Sequence, residues 1–245
     1  MSTMPATPDE QNHIEINLQA GSGVASMNGQ TFVEWLRTVA PYIHAFRGKT
    51  FVVAVDGELA YQGNLNSLAQ DLSLLHAMGM RIVLVVGSRP QVEEQLALRK
   101  VAPQFHKGWR ITDKVALECA KEAAGELRLD IEASFSQGLP NTPMAHSAMR
   151  VISGNFITAR PIGIMDGVDL QHTGLVRKVD VKAITQSLDN NSIVLLSTLG
   201  FSPTGEAFNL TLEDVATSAA RAIKADKLIF VSQIEGIFDK DDNLL

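Results

Sequence analysis

The sequence predicts an α/β protein built on an open, mainly parallel sheet that lies between layers of helices. Short apolar segments alternate along the chain with longer segments of helical periodicity, and that alternation is typical of parallel sheets. The apolar segments are almost uniformly hydrophobic, as expected for strands that are buried on both faces. With 245 residues and 45% hydrophobic content, the chain is long enough to bury one sizeable core.

The pattern places strands and helices in a regular order. Strands are predicted at TFVVAV (50–55), RIVLVV (81–86), SIVLLSTLG (192–200) and KLIFVS (227–232). Helices are predicted within 65–79, 87–100, 112–127 and 210–225, the second with Pro90 in its first turn. The glycine-rich stretch 153–180 interrupts this order, and its short β-like pieces predict an antiparallel flap over the carboxyl edge of the sheet.

The N-terminal part differs from the rest. Residues 1–30 are polar and rich in Gly, Ser and Pro, which predicts a loose leader before a helix over 31–47 and a main domain over 48–245. Thr31 and Glu34 have the spacing of a capping box, and Pro41 predicts a kink. The apolar stripe of this helix either packs on its own domain or meets a partner subunit or a ligand.

Composition excludes several classes of protein. The net charge is −6 and no basic cluster stands out, so we expect no nucleic-acid partner. No apolar run is long enough to span a bilayer, no signal peptide is evident, and Cys119 is the only cysteine. We therefore expect a cytoplasmic protein. The six histidines are scattered without ligand spacing, which predicts no metal site.

Two glycine turns follow predicted strands, at Asp56-Gly57 and at Gly87-Ser88. Such turns at the carboxyl ends of parallel strands line one edge of a sheet, which favours a shared pocket there. Arg89, Lys107 and Arg110 could hold a carboxylate at that edge, or they are solvated surface charges.

Other polar residues near this edge could contact a ligand or could have an ordinary structural role. Asn209 precedes a predicted helix, so it either caps that helix or donates a hydrogen bond to a ligand. The acidic candidates for acid–base work are Asp56, Glu58, Glu213 and Asp214, and no spacing pairs them. The residues alone therefore indicate no catalytic mechanism.

With these elements in place, the chain from about Phe32 to Leu245 resembles the amino-acid-kinase domain of bacterial N-acetylglutamate synthases. The motifs that carry the resemblance occur in the family's order: PYIHAFRGKTFVV, DLSLLHAMGMRIVLVVGSRPQ, HKGWRITD, SGNFITARPIGIMDGVD, TGLVRKVD, SPTGEAFNL and KLIFVSQIEGI. The resemblance implies the acetylglutamate-kinase-like fold.

Comparison with the related N-acetylglutamate kinases implies that phosphoryl transfer has been lost. Those kinases carry a lysine at the position of Ala54, a run of glycines where this chain has Gly87, Ser88 and Arg89, and an aspartate at the position of Glu213. Phosphoryl transfer depends on positioned positive charge and a metal ion. The resemblance thus predicts a vestigial pocket made of Ala54, Asp56, Gly57, Gly87, Ser88, Arg89, Arg110, Asn209 and Glu213.

In the family this domain senses arginine and regulates an acetyltransferase domain that moves an acetyl group from acetyl-CoA to glutamate. The resemblance implies arginine as effector, a site at Tyr42 with Arg37 as a weaker candidate, and a homo-oligomer, hexameric in the family, whose N-terminal helices interlace. It implies no catalytic residue and no cofactor within this chain, which we expect to be truncated before the acetyltransferase domain. Two alternatives remain open: an active N-acetylglutamate kinase that uses ATP, and a small-ligand sensor without an attached enzyme.

Overall fold

A computed structural model describes residues 29–61, 63–137 and 149–232. The helices are α1 (Gly29–Phe46), α2 (Gly57–Tyr61), α3 (Leu65–Ala77), α4 (Arg89–Leu98), α5 (Lys114–Ser136), α6 (Val181–Asp189) and α7 (Leu212–Ile223). The strands of the first half are β1 (Thr50–Val55), β2 (Arg81–Val86), β3 (Phe105–His106), β4 (Trp109–Arg110), β5 (Val151–Ser153), β6 (Ile157–Pro161) and β7 (Ile164–Met165). They are followed by β8 (Val168–Asp169), β9 (Gly174–Val179), β10 (Ile193–Ser197), β11 (Leu199–Phe201), β12 (Ala207–Asn209) and β13 (Lys227–Val231).

The main sheet confirms the predicted parallel architecture. Its strand order is β13-β1-β2-β10-β5, and every neighbouring pair is parallel. The central strand β1 is buried from Phe51 to Val55, and Val53 pairs with Leu84 on one side and Ile229 on the other. The apolar strands β1, β2 and β10 are buried because both faces of the sheet are covered there, whereas the edge strand β13 exposes Leu228, Ile229 and Phe230.

The two faces of the sheet carry different layers. On one face, alternate residues such as Val52, Val83 and Val194 pack against α6, α7 and residues of the second sheet. On the other side, α4 packs on α5 through Val92 and Ala120. This layering brings the first residues of α4 and α7 to the carboxyl edge of the strands.

The second sheet contains the predicted flap. Its order is β12-β11-β6-β9, with β6 antiparallel to β9. Two small hairpins accompany it, and their turns, Lys107-Gly108 and Asp166-Gly167, both have positive φ angles. Two consecutive positive φ angles fit the two-residue turns that join antiparallel strands. The turns meet in an ion pair, since Lys107 Nζ lies 2.6 Å from Asp166 Oδ2.

Several predicted boundaries were wrong. The segment predicted as one strand over 192–200 is two strands in different sheets, because the chain leaves the main sheet at the buried Thr198. After β1 the glycine turn leads directly into the short helix α2, and α5 continues to Ser136. Helix α6 was not predicted.

The N-terminal unit, Met1–Arg47, is separate from the unit Gly48–Leu245. Helix α1 begins at Gly29, so Thr31 lies inside its first turn rather than before it, and the helix contains Pro41. The predicted leader lies outside the described residues up to residue 28, as do residues 138–148 and 233–245. Within the described part of the chain, no helix combines the length and apolar character needed to cross a bilayer.

Candidate binding pocket at the carboxyl edge of the main sheet

A cavity of about 210 Å³ lies where β1, β2 and β10 end. The two predicted glycine turns meet beside it. A Cβ atom on Gly57 would lie 2.6 Å from the carbonyl oxygen of Gly87 and 2.9 Å from Cδ of Pro90. That approach leaves no room for a side chain, so the contact requires glycine at position 57.

The cavity gathers most of the predicted pocket residues. Its wall includes Asp56, Gly87, Ser88, Arg89, Arg110, Asn209 and Glu213. These side chains come from loops after β1 and β2, from strands β4 and β12, and from the starts of α4 and α7. Sequence-distant residues meet here because the carboxyl ends of parallel strands share one edge.

Ala54 does not line the cavity. Its side chain is fully buried and belongs to the core cluster that also contains Val85, Leu196 and Val215. The methyl group supplies no charge, and among the described residues of the cavity wall the cations are Arg89 and Arg110, with no lysine. The carboxylates of Asp56 and Glu213 also line the wall. These two carboxylates place negative charge on the wall opposite in sign to that of Arg89 and Arg110.

Arg110 is the buried cation of the cavity. Its side chain is 8% exposed, and its Nη2 donates to Glu93 Oε1 at 2.9 Å. Its Nη1 is buried and makes no hydrogen bond with the described residues. Burial lowers the pKa of the Arg110 guanidinium and the Glu93 carboxylate opposes that shift, but an arginine remains charged at neutral pH.

An aromatic ring and a second arginine lie beside Arg110 in the cavity wall. The guanidinium carbons of Arg110 and Arg89 lie 4.8 Å and 5.2 Å from the centre of the Phe105 ring. Arg89 Nε lies 3.2 Å from the same Glu93 oxygen that Arg110 contacts. A single carboxylate is thus shared by two guanidinium groups. A ligand carboxylate would supply the acceptor that Arg110 Nη1 lacks.

Asn209 is not the cap of the following helix. It lies in β12, and Thr211 caps α7 by accepting a hydrogen bond from the Asp214 amide at 3.2 Å. Asn209 Nδ2 instead donates to Thr112 Oγ1 at 3.3 Å. The cap was mispredicted because α7 begins at Leu212, two residues after the start at 210 that the sequence pattern indicated.

Buried threonines support the cavity, and sequence reasoning missed them. Thr112 and Thr173 are buried with their hydroxyl oxygens 2.9 Å apart, and the Thr173 hydroxyl also bonds the Arg110 carbonyl. Thr198 lies across from Ser88, with their hydroxyl oxygens 3.3 Å apart. Hydroxyls within β-like segments are common, so no spacing distinguishes these residues.

The starts of α4 and α7 add a favourable field for an anion. Arg89, Leu212 and Glu213 belong to the first turns of these helices and line the cavity. Backbone N–H groups at a helix N-terminus carry partial positive charge. The described residues contain no group of three or more His, Cys, Asp or Glu side chains placed to hold a metal ion.

The arginine-site candidates lie on α1, in the other unit. Tyr42 is 63% exposed and Arg37 is also exposed. The two residues are five positions apart, or about 1.4 helical turns, so their side chains leave the helix in different directions. Trp35 and Leu36 of the predicted apolar stripe are exposed, and Val33 on the same helix is exposed as well.

Known proteins share both the sequence and the fold. Residues 49–245 match the model of the amino acid kinase family. An amino-acid acetyltransferase of Ralstonia nicotianae is 68% identical over 211 residues, which are 86% of this chain and 47% of that protein. One of Ectopseudomonas mendocina is 52% identical over 214 residues, covering 87% and 50% of the two chains. The chain thus spans about half the length of these relatives.

The fold of this chain is also similar to solved structures of known proteins. An N-acetylglutamate synthase from Neisseria gonorrhoeae, complexed with coenzyme A and L-arginine, aligns with a TM-score of 0.81 at 37% identity. The alignment covers 87% of this chain and 50% of that one. A carbamate kinase from Giardia lamblia, bound to AMP-PNP, shares the fold alone, with a TM-score of 0.54 at 16% identity over 77% of this chain and 72% of that chain. The chain therefore belongs to the amino acid kinase family.

Proposed function

We propose that this chain is the regulatory, arginine-sensing kinase-like domain of an N-acetylglutamate synthase, the enzyme that acetylates L-glutamate with acetyl-CoA. In this proposal the domain catalyses no reaction of its own, and the acetyl-CoA co-substrate belongs to the acetyltransferase domain. The similarity to amino-acid acetyltransferases and to a synthase complexed with L-arginine supports this assignment.

The single observation that most supports a loss of kinase activity is the environment of Ala54. A buried methyl group stands where the related kinases have a lysine, and the neighbouring cavity wall contains the carboxylates of Asp56 and Glu213. Positive charge that stabilises a transferred phosphoryl group is the main contribution of a kinase site. An active N-acetylglutamate kinase is therefore the less favoured alternative.

Tyr42 is the proposed contact for the arginine effector. Its aromatic ring is exposed on α1, and a ring of this kind can stack on a planar guanidinium while its hydroxyl accepts or donates a hydrogen bond. Arg37 is a weaker candidate, because its cation would repel the guanidinium of the effector.

The test is arginine inhibition of the longer protein that joins this chain to an acetyltransferase domain. Tyr42→Ala should raise the arginine concentration for half-inhibition at least tenfold, or about 1.4 kcal/mol. Acetyltransferase activity without arginine should stay within a few fold. Thr38→Ala is the control, because it truncates another exposed side chain of the same helix and should leave arginine inhibition nearly unchanged. Unchanged inhibition in Tyr42→Ala would show that this residue does not contact arginine.

A further inference from the structure

A second and larger cavity lies on the α5 side of the main sheet. Its volume is about 510 Å³, which is within the range of small-molecule sites. The last residues of β2, β10 and β5, which are Val86, Ser197 and Ser153, all line it. In parallel α/β sheets, ligands bind beyond the carboxyl ends of strands. Ser88 also lines this cavity and separates it from the pocket that contains Arg110.

Gly125 leaves this cavity open. It lies in the interior of the 23-residue helix α5, where a glycine weakens a helix relative to alanine. A Cβ atom at this position would meet nothing within 4 Å, so close packing does not require the glycine. Ala124, the preceding residue, also lines the cavity. Larger side chains at these positions would occupy the space that is now open.

The walls of the cavity are largely apolar, and the two charged residues of its described lining are the cations Lys121 and Arg128. Leu127, Ile131 and Leu195 are buried side chains of the wall, and Phe201 is 41% exposed. An aromatic ring left partly exposed beside a cavity offers a contact surface to an apolar ligand.

Lys121 and Arg128 lie seven residues apart on α5 and therefore on the same side of the helix. Among the described residues of the lining there is no carboxylate, and Lys121 makes no ion pair within the described part of the chain. Arg128 Nε lies 3.6 Å from Oε1 of Glu132, which the Ser153 hydroxyl also approaches at 3.5 Å. Of the two cations in the lining, Lys121 is thus the one without an ion-pair partner among the residues that the structure describes.

We propose that this cavity is a binding site for an amphipathic organic anion, one with an apolar or aromatic body and a single acidic group. The apolar body contacts Leu127, Ile131 and Phe201, and the acidic group faces Lys121 and Arg128. The hydroxyls of Ser153 and Ser197 at the strand ends accept or donate further hydrogen bonds. The proposal does not rest on the proposed role of Tyr42, and the cavity shares Ser88 with the pocket that contains Arg110.

The probe for this proposal is 8-anilinonaphthalene-1-sulfonate, which joins an aromatic body to one sulfonate and fluoresces when it is bound in an apolar site. Titration of the 245-residue chain should give saturable binding of one dye per chain. Gly125→Met fills the cavity and should weaken binding at least tenfold. Ala133→Met adds the same side chain at an exposed position of α5 outside the lining, and should leave binding within twofold.

Charge reversal tests the acidic group separately. Lys121→Glu should weaken dye binding at least fivefold, while Lys182→Glu on α6, outside the lining, should change it by less than twofold. The uncharged analogue N-phenyl-1-naphthylamine should bind the parent chain more weakly than the dye and should not distinguish Lys121→Glu from the parent. Circular dichroism and the thermal midpoint verify that each variant is folded.

Three results would overturn the proposal. The first is the absence of saturable binding, and the second is binding that Gly125→Met leaves unchanged, which would place the dye on another apolar surface. The third is a loss of dye binding in Gly125→Met that occurs only together with a change of oligomeric state, as measured by light scattering. That result would identify the cavity as a contact between copies of the chain rather than a ligand site.

Discussion

Gly57 and Gly87 touch at the carboxyl edge of the main sheet, so that a Cβ atom on Gly57 would lie 2.6 Å from the carbonyl oxygen of Gly87. Real Cβ atoms do not approach a backbone oxygen so closely. The contact joins the turn after β1 to the turn after β2. It therefore holds Asp56 and Ser88 in fixed positions on the cavity wall.

The first prediction concerns this contact. Gly57→Ala should destabilise the chain by about 1–3 kcal/mol, because the added methyl group forces backbone to move. The free energy of unfolding by urea measures the effect. Gly125→Ala is the matched control: its Cβ meets nothing within 4 Å, and it should stabilise the chain by up to about 1 kcal/mol. Equal stability of Gly57→Ala and the parent would mean that the two turns can separate without cost.

The second prediction concerns the pH dependence of stability through Asp226. Its carboxylate accepts a hydrogen bond from the Thr50 amide at 2.9 Å and lies 3.0 Å from Lys49 Nζ. The Thr50 amide, followed by Lys49, lowers the pKa of Asp226 in the folded chain. A lowered folded pKa means that the stabilisation is present above the unfolded pKa of about 4 and is lost as the pH falls through the folded value.

Asp226→Asn should therefore be less stable than the parent at pH 7, and the difference should shrink as the pH approaches 3. Unfolding in urea at several pH values measures it. Asp130→Asn, an exposed change on α5 without an ion pair among the described residues, is the control for removing one carboxylate. A stability difference for Asp226→Asn that stays constant between pH 7 and pH 3 would contradict the role of this carboxylate.

The third prediction concerns self-association through α1. The helix exposes Trp35, Leu36 and Tyr42, and burial of such side chains is worth about 1.5–3 kcal/mol each. We expect light scattering to show an oligomer that weakens when residues 1–47 are deleted and when Trp35 and Leu36 are both replaced by serine. Thr38→Ser on the same helix should have no effect. A monomer at micromolar concentration, with or without α1, would refute the prediction.

Sequence reasoning located the strands that are buried on both faces and could not locate a change of sheet. TFVVAV and RIVLVV are recognisable because nearly every residue is apolar. The segment SIVLLSTLG has the same composition, yet it divides at Thr198, since hydrophobicity does not record which sheet a strand joins.

The parts of the candidate pocket that could be predicted are those where the backbone conformation requires a particular residue type. The glycine turns at Gly57 and Gly87 are examples. The pairing of Arg110 with Glu93 and the hydrogen bond from Asn209 to Thr112 are not, because they join residues that only the fold brings together. For the same reason the sequence named Arg110 as one of several cations and could not identify it as the buried one.

The central claim is that this kinase-like domain does not transfer phosphoryl groups, and the most direct measurement is an assay for acyl phosphate. The chain is incubated with ATP, magnesium and N-acetyl-L-glutamate, and acyl phosphate is trapped with hydroxylamine. Because Ala54 provides no cation and the cavity wall contains Asp56 and Glu213, we predict product at the level of a sample without protein. Turnover clearly above that level, lost on heat denaturation of the protein, would contradict the claim.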